Sequence, residues 1–571
     1  MSDWPLSDQQ CAVVSHPPGN LCVTACPGAG KTRTIVARYM ARAAALQPAS
    51  AAAVLSFTNA AVEEVKARCL ATGNSSLIRF PHFVGTFDGF INRYFVLPFD
   101  VKEIRRPYRI VDSWQSRKVG VKRRGVSCEG FSLDALRVDD DFQAHLDERR
   151  IPSKVRAQVL RDRDEWEKAA RTKRTRMHQL GFFSSEDARS IAARRVRHPK
   201  SAYLASSLSA RFAEIIVDEA QDCDDHQLAI LAWLRQAGTH VVVVCDPDQA
   251  IYEFRGVQPS VLTEFNGSST PLFLTGNYRS SPQICGLAAT LRSNGAADHS
   301  VGSQATSHIQ VHIRQYDPKH PDALASWFTE HLSGLSIPET NAAILSHRAI
   351  DALRVVGRDA DDVTQVPAAA LLQAVRAFQD NIASAADRRA AVIGAEAILL
   401  RCLNVAKGVE VLPETDAEVA AAVDLRTLAC ELLATAPRDV ESWQSWCSSV
   451  RRLIQTMPLP DGQSWRCSAI GTPRSEFPAQ PSPAASQLTV ATIHSAKGRE
   501  FDAVLVVIPD KGSDTAALIE SWRTGHPSEE KRVLYVAVTR AKKSLSIAVP
   551  ARHCAAVHEI LAKKNVSFVP S

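Results

Sequence analysis

A short apolar run, Leu21–Thr24, leads directly into the turn ACPGAGKT (Ala25–Thr32), and a helical pattern starts at Lys31. Strand, glycine turn and helix in that order leave few architectures open. They call for an open α/β layer in which the turn sits at the carboxyl end of a strand and the helix packs back on the sheet. In such a turn Gly28 and Gly30 let backbone amides close around an anion. Lys31 reaches the outer phosphates, Thr32 offers a hydroxyl to a divalent cation, and the helix N-terminus favours negative charge. The strict GxxxxGK[ST] pattern has Gly where this chain has Ala25, so taken alone the turn also fits a plain strand–helix connection.

A second feature narrows the reading. IIVDEAQD (215–222) places Asp218 and Glu219 just after a strand-like run, at the end where open sheets bind ligands. Asp218 is suited to hold Mg²⁺ directly or through water, and Glu219 to orient and deprotonate an attacking water. A carboxylate pair after a strand also serves as a helix cap, but together with the upstream turn it points to a nucleotide site.

Composition excludes several classes. The 571 residues are 45% hydrophobic and 22% charged, as in a folded chain of about three to five structural units. No apolar run approaches a membrane span, and MSDWPLSDQQ has neither a basic nor an apolar leader segment; membrane and exported readings drop out and a cytoplasmic site is expected. The thirteen cysteines form no CxxC pair, and Cys22 and Cys26 lack partners for a zinc site, so they read as small buried groups in a reducing compartment. The net charge is only +6, yet residues 101–200 hold 26 Lys and Arg against 15 Asp and Glu. A basic block in an otherwise slightly acidic chain suggests a surface that faces a polyanion, or a solvated helical insert.

The strand-and-helix rhythm of residues 1–100 breaks off at 101–205, which read as basic helices, and returns over 206–270. It continues at 271–345, is interrupted by an Ala-rich helical stretch at 346–470, and resumes at 487–571. Between these, 471–486 carries Pro473, Pro478, Pro481 and Pro483 and reads as a linker. The expected fold class is α/β, with two interrupted α/β domains, each holding a mainly helical insertion.

The chemistry-bearing segments follow a set order: LSDQQ (Leu6–Gln10), ACPGAGKT, SFTNAAVEEVKAR (Ser56–Arg68), VGTFDGF (Val84–Phe90), DEAQD (Asp218–Asp222) and CDPDQAIYEFRG (Cys245–Gly256). LTGNYRSSPQI (Leu274–Ile284), TIHSAKGREFDAV (Thr492–Val504) and EEKRVLYVAVTRA (Glu529–Ala541) complete it. This series resembles the motifs of the UvrD/Rep/PcrA-like DNA helicases of superfamily 1. The resemblance covers both α/β domains and not the insertions, and it implies two RecA-like domains.

It also implies roles. Gln10 would read adenine and Tyr278 would stack on it. Gly28, Ala29, Gly30, Lys31, Thr32 and Arg33 would hold the phosphates of ATP, Thr32 and Asp218 would hold Mg²⁺, and Glu219 would act as base. Gln249 would sense the γ-phosphate, Arg279 and Arg540 would be arginine fingers, and Glu500 would contact the nucleotide from the second domain. Phe57, Tyr252 and Phe254 would stack on bases of single-stranded DNA, with Thr58, Asn59, Thr86 and His494 on its backbone. The basic insertion then reads as an arm facing a strand or duplex, and the partners implied are single-stranded DNA and single-strand/duplex junctions.

Three positions depart from the family pattern: Ala60 for Lys, Asp88 for His and Arg499 for Leu. All three lie near the expected DNA track. The second insertion is also short for the family, and with about 30 residues after Arg540 a fused nuclease domain is not expected. Compact helicases of this kind also stand beside nucleases in bacterial defence systems, including Gabija-like ones, so a partner nuclease or repair protein is a further expectation. The leading expectation is an ATP-dependent helicase and translocase moving 3′ to 5′ on single-stranded DNA, in repair or anti-phage defence. The alternative is a nucleotide-gated DNA sensor that regulates a partner and unwinds little; an RNA-directed helicase is a third reading.

Overall fold

Valine, isoleucine, leucine and alanine runs bounded by turns become strands buried on both faces, the pattern expected of parallel sheets. The computed structural model describes the chain apart from residues 1–4, 48, 102–103, 105–106, 112, 115–116, 124–125, 139–143, 252–261, 263–264, 294–297, 358–366, 381–384, 406–424, 439, 460–462, 474–487 and 571. Six strands form a first sheet: β1 (Leu21–Ala25), β2 (Ala51–Ser56), β3 (Phe83–Thr86), β4 (Phe212–Val217), β5 (His240–Cys245) and β6 (Thr270–Leu274). Their order is β6-β1-β5-β4-β2-β3, and every neighbouring pair is parallel. Six more build a second parallel sheet: β7 (Val311–Tyr316), β8 (Ala342–Ser346), β9 (Thr489–Thr492), β10 (Phe501–Val507), β11 (Ala541–Pro550) and β12 (Phe568–Pro570), in the order β9-β8-β10-β11-β7-β12.

Alternation divides each strand between two cores. In the second sheet Ala343, Leu345, Val504 and Val506 enter one cluster, while Ala342, Ile344, Leu505 and Val507 enter the other. In the first sheet Val23, Val54, Ile216, Val242 and Val244 pack against Ile35, Val36 and Tyr39 of the helix that follows the glycine turn.

By its contacts the chain divides into two compact units. Both sheets belong to the first, built from residues 1–100, 185–356 and 488–571; residues 101–184 and 357–487 make the second. The boundaries differ from those read off the sequence. The run Pro271–Leu274, expected to open the second α/β domain, pairs along its whole length with β1 and extends the first sheet. Residues 101–184 are not mainly helical. They hold an antiparallel pair (Lys118–Arg123 with Val126–Ser132), a second (Leu136–Val138 with Ala144–Leu146), and helices at Ser153–Arg161 and Arg163–Gln179. Val119, Val121, Phe131 and Leu133, two apart within each pair, turn inward onto Trp166 and Met177. Ser185–Arg197, expected inside the insertion, belongs instead with the first sheet's unit. Residues 367–379, 385–402, 425–435 and 443–456 are helical, as expected, around Leu372, Leu399, Leu432 and Trp446. Of the expected linker, 474–486 lies outside the described residues.

The described cysteines are free thiols, most of them buried. Among the described residues no helix is long and apolar enough to cross a membrane.

Candidate nucleotide and strand site

The sheet order sets the site. β1, β5 and β4 are neighbours, so the turns after them, 25–30, 246–249 and 218–222, lie side by side at the carboxyl edge. Helix α1 (Asp8–Ser15) begins in a capping box in which the Ser7 hydroxyl accepts from Gln10 N and Gln10 Oε1 accepts from Ser7 N at 3.1 Å. The same Gln10 side chain donates to Ala29 O at 2.9 Å, so its amide holds the glycine turn in place. Gly28 and Gly30 have φ of +74° and +75°. A Cβ on Gly28 would stand 2.5 Å from Asn277 Oδ1, and one on Gly30 would stand 2.8 Å from Gln10 Nε2. Both conformation and space therefore require glycine. Helix α2 (Lys31–Ala45) starts at the end of this turn, with Ala29 buried and Thr32 and Arg33 half-buried at its mouth.

Lys31 Nζ lies 3.9 Å from Glu219 Oε1. Burial would pull its ammonium down, but Glu219, Asp246 and Asp218 outweigh that and hold it above the ordinary lysine range. Asp218 is 3% exposed, and burial together with the Glu219 charge pushes its carboxyl up. Glu219 sits in the left-handed region at φ 53° and receives a hydrogen bond from Gln221 Nε2. Burial favours its neutral form, yet Lys31 and Lys497 hold it below the usual carboxylate range. The buried Asp218 and the half-buried Glu219, adjacent carboxylates beside Lys31, form a hard, oxygen-rich, negative donor set. With the Thr32 hydroxyl, that is a fit for Mg²⁺, which takes one or two carboxylates plus phosphate oxygens and water.

A hydrogen-bonded chain runs from Glu219 to the second sheet. Gln221 Oε1 accepts from Asp246 N at 3.1 Å, Asp246 Oδ2 accepts from Gln249 Nε2 at 2.7 Å, and Gln249 Oε1 accepts from Arg540 Nη2 at 3.1 Å. Arg540 is 3% exposed and follows the helix Glu529–Val538 at the amino end of β11. Burial and then Arg279 draw its guanidinium below the ordinary arginine range, as expected of two cations brought into one enclosed site. Tyr535 adds a hydroxyl to Asp246 Oδ2 at 3.3 Å. Arg279 Nε meets Glu500 Oε2 at 2.6 Å, Lys542 Nζ holds the other oxygen at 2.9 Å, and Tyr278 N donates to Gly28 O at 2.9 Å. Gln10, Gly28, Gly30, Lys31, Asp218, Glu219, Gln249, Arg279, Glu500 and Arg540 are thus brought together by their contacts.

Of the expected strand contacts, Phe57, Thr58, Asn59 and Thr86 stand at the carboxyl ends of first-sheet strands and His494 at that of a second-sheet strand. Phe57 follows β2, half-buried and edge-on to Phe87 at 6.2 Å; Thr58 and Asn59 are exposed at the start of a helix, and Thr86 caps residues 87–91 by accepting from Gly89 N. His494 follows β9 and stacks on His347 at 5.7 Å. Tyr252 and Phe254 lie outside the described residues. Sequence reasoning did not single out Asp246, Gln221, Asn277, Tyr535 or Lys497. Each stands inside or beside a quoted segment, and only the folded geometry shows that Asn277 Oδ1 accepts from both Arg279 N (2.9 Å) and Ser280 N (3.0 Å).

Residues 6–270 match the UvrD/REP helicase N-terminal domain family, and residues 476–551 match the UvrD-like helicase C-terminal domain family. The chain is similar to the ATP-dependent DNA helicase UvrD2 of Mycobacterium tuberculosis (strain ATCC 25618 / H37Rv), at 26% identity over 95% of this chain and 78% of that protein. It is also similar to DNA helicase II of Escherichia coli (strain K12), at 26% identity over 51% of this chain and 40% of that protein.

Proposed function

The chain belongs to the UvrD-like DNA helicases of superfamily 1 and is an ATP-dependent DNA helicase by class, and from that premise we propose how its site works. The two six-stranded sheets are the cores of two RecA-like domains. ATP binds at the carboxyl edge of the first, its phosphates on Gly28–Thr32 and Arg33 and its adenine against Gln10 and Tyr278. Thr32 and Asp218 would hold Mg²⁺, which supplies positive charge at the transferred phosphoryl group. Glu219 orients and deprotonates the attacking water, Gln249 senses the γ-phosphate, and Arg279 and Arg540 meet the charge that develops there.

The observation that carries this reading is the Gln249–Arg540 contact of 3.1 Å, which joins a sensor on the first sheet to a cation on the second. A site completed by both sheets makes turnover depend on their apposition, as a translocating motor needs. Single-stranded DNA would run past Phe57, Thr58, Asn59, Thr86 and His494, and movement 3′ to 5′ in the cytoplasm, in DNA repair, follows the family resemblance.

Steady-state ATP hydrolysis with and without single-stranded DNA tests the proposal, with Glu219→Gln as the blank. Strong stimulation by DNA is expected, followed by strand separation on a tailed duplex. Turnover that ignores DNA would overturn the motor reading and favour a nucleotide-gated sensor.

A further inference from the structure

The segment Thr492–Glu500 joins β9 to β10, and three of its side chains go to three different places. His494 stacks on His347, Glu500 holds Arg279, and Lys497 crosses to the first sheet's turns. Its Nζ stands 2.8 and 2.7 Å from the two oxygens of Asp222 and 3.3 Å from Gln249 O. The side chains of Lys497 and Asp222 are only 11% and 6% exposed.

Asp222 closes the turn that Glu219 begins, with Asp222 N donating to Glu219 O at 2.9 Å. Gln249, whose main chain Lys497 touches, places its side chain between Asp246 and Arg540. One ammonium therefore holds the turn with the base and the turn with the sensor, from a loop that also carries His494. Surface ion pairs contribute little, but a pair this enclosed is costly to break.

We propose that Lys497 is a positioning residue that couples strand binding to ATP turnover, the Lys497–Asp222 pair transmitting the position of loop Thr492–Glu500 to Glu219 and Gln249. The inference rests on the reading that His494 contacts single-stranded DNA. A strand that moves His494 moves Lys497 three residues on, and with it the turn 219–222 and the Gln249 main chain. Coupling between sites ordinarily amounts to about 5- to 150-fold.

The experiment measures kcat and KM for ATP at saturating single-stranded DNA and without DNA, and DNA affinity, for the wild-type chain, Lys497→Ala and Lys497→Arg. The ratio of DNA-saturated to DNA-free kcat should fall at least about tenfold in Lys497→Ala. KM for ATP and DNA affinity should stay within about threefold of wild type, and Lys497→Arg should restore the ratio. Lys497→Gln keeps a donor without the charge, on a side chain one atom shorter in reach, and reads the same ratio if the alanine variant does not fold. Two rates that fall in parallel, leaving the ratio at its wild-type value, overturn the coupling role. The wild-type control separates the two failures: wild-type turnover that ignores DNA overturns the motor reading and the coupling with it, whereas a normal ratio in Lys497→Ala or Lys497→Gln beside a stimulated wild type overturns the coupling alone.

Discussion

Arg540 shows what one residue contributes when burial and charge act together. Its Nε donates to Val536 O at 3.0 Å and its Nη2 to Gln249 Oε1, so the guanidinium is aimed by its own helix before any ligand arrives. Removing a preorganised donor of that kind ordinarily costs about 10²–10³ in kcat. Arg540→Ala should therefore lose about that much turnover while ATP affinity changes little, measured by single-turnover hydrolysis and nucleotide titration. Unchanged hydrolysis would remove the two-sheet mechanism. Arg540 and Lys31 were legible in the sequence because short motifs name them. Asp88 was legible only as a departure from the family's His. The structure gives it a partner, since Arg189 Nη1 lies 2.9 Å from both its oxygens while Arg189 Nε meets Asp224 at 2.7 Å. An ion pair between residues 101 positions apart leaves no local pattern to read.

Between elements the main ionic tie is Glu214, fully buried on β4. Arg38 on α2 reaches it with Nε at 2.9 Å and Nη2 at 2.7 Å, and Arg38 Nη1 also donates to Val13 O and His16 O of α1 and the turn after it. Glu214→Ala would strand a buried guanidinium, at a cost of about 3–5 kcal/mol, whereas Arg38→Met with Glu214→Leu should cost far less. Denaturant unfolding of the single and double variants decides this; equal losses would mean that packing volume, not charge, sets the cost. On the second sheet, His331 of the helix Ala323–Gly334 lies 4.5 Å from His312 of β7 and 3.0 Å from Ser544 Oγ of β11, stacked on Trp327, which Arg314 of β7 overhangs. Burial, then His312, pulls the His331 imidazole down to about 4. The unfolded chain binds a proton there near the ordinary value of about 6.5 and the folded chain does not. Stability is therefore lost as pH falls from about 6.5 toward about 4. His331→Gln should flatten the melting temperature across that window relative to wild type; identical pH profiles would discount the imidazole. Such elements were visible in the sequence as apolar runs. Their neighbours were not: Pro271–Leu274 reads as a strand in either domain, and only its register against Leu21–Ala25 assigns it to the first sheet.

For the whole molecule the uneven charge matters most. Residues 101–200 carry 26 basic against 15 acidic side chains, and the fold spends some of them internally. Arg163 pairs with Glu148 at 2.8 Å and Arg171 with Glu167, pairs that add little to the distant field. Arg156 instead donates to the carbonyl of Ile151, which orders the guanidinium without cancelling its charge. The positive excess therefore survives folding as a field, which draws in a polyanion and weakens with salt. Each phosphate contact on a single strand adds about 0.7 to the slope of log affinity against log salt, so four contacts imply about a 50-fold loss over a fourfold rise in salt. Lys154 and Lys168 are exposed, and reversing both to Glu should lower the slope while leaving DNA-free hydrolysis as it was. A slope near zero in the wild-type chain, or one that the double reversal leaves unchanged, would mean that this excess faces solvent rather than the strand.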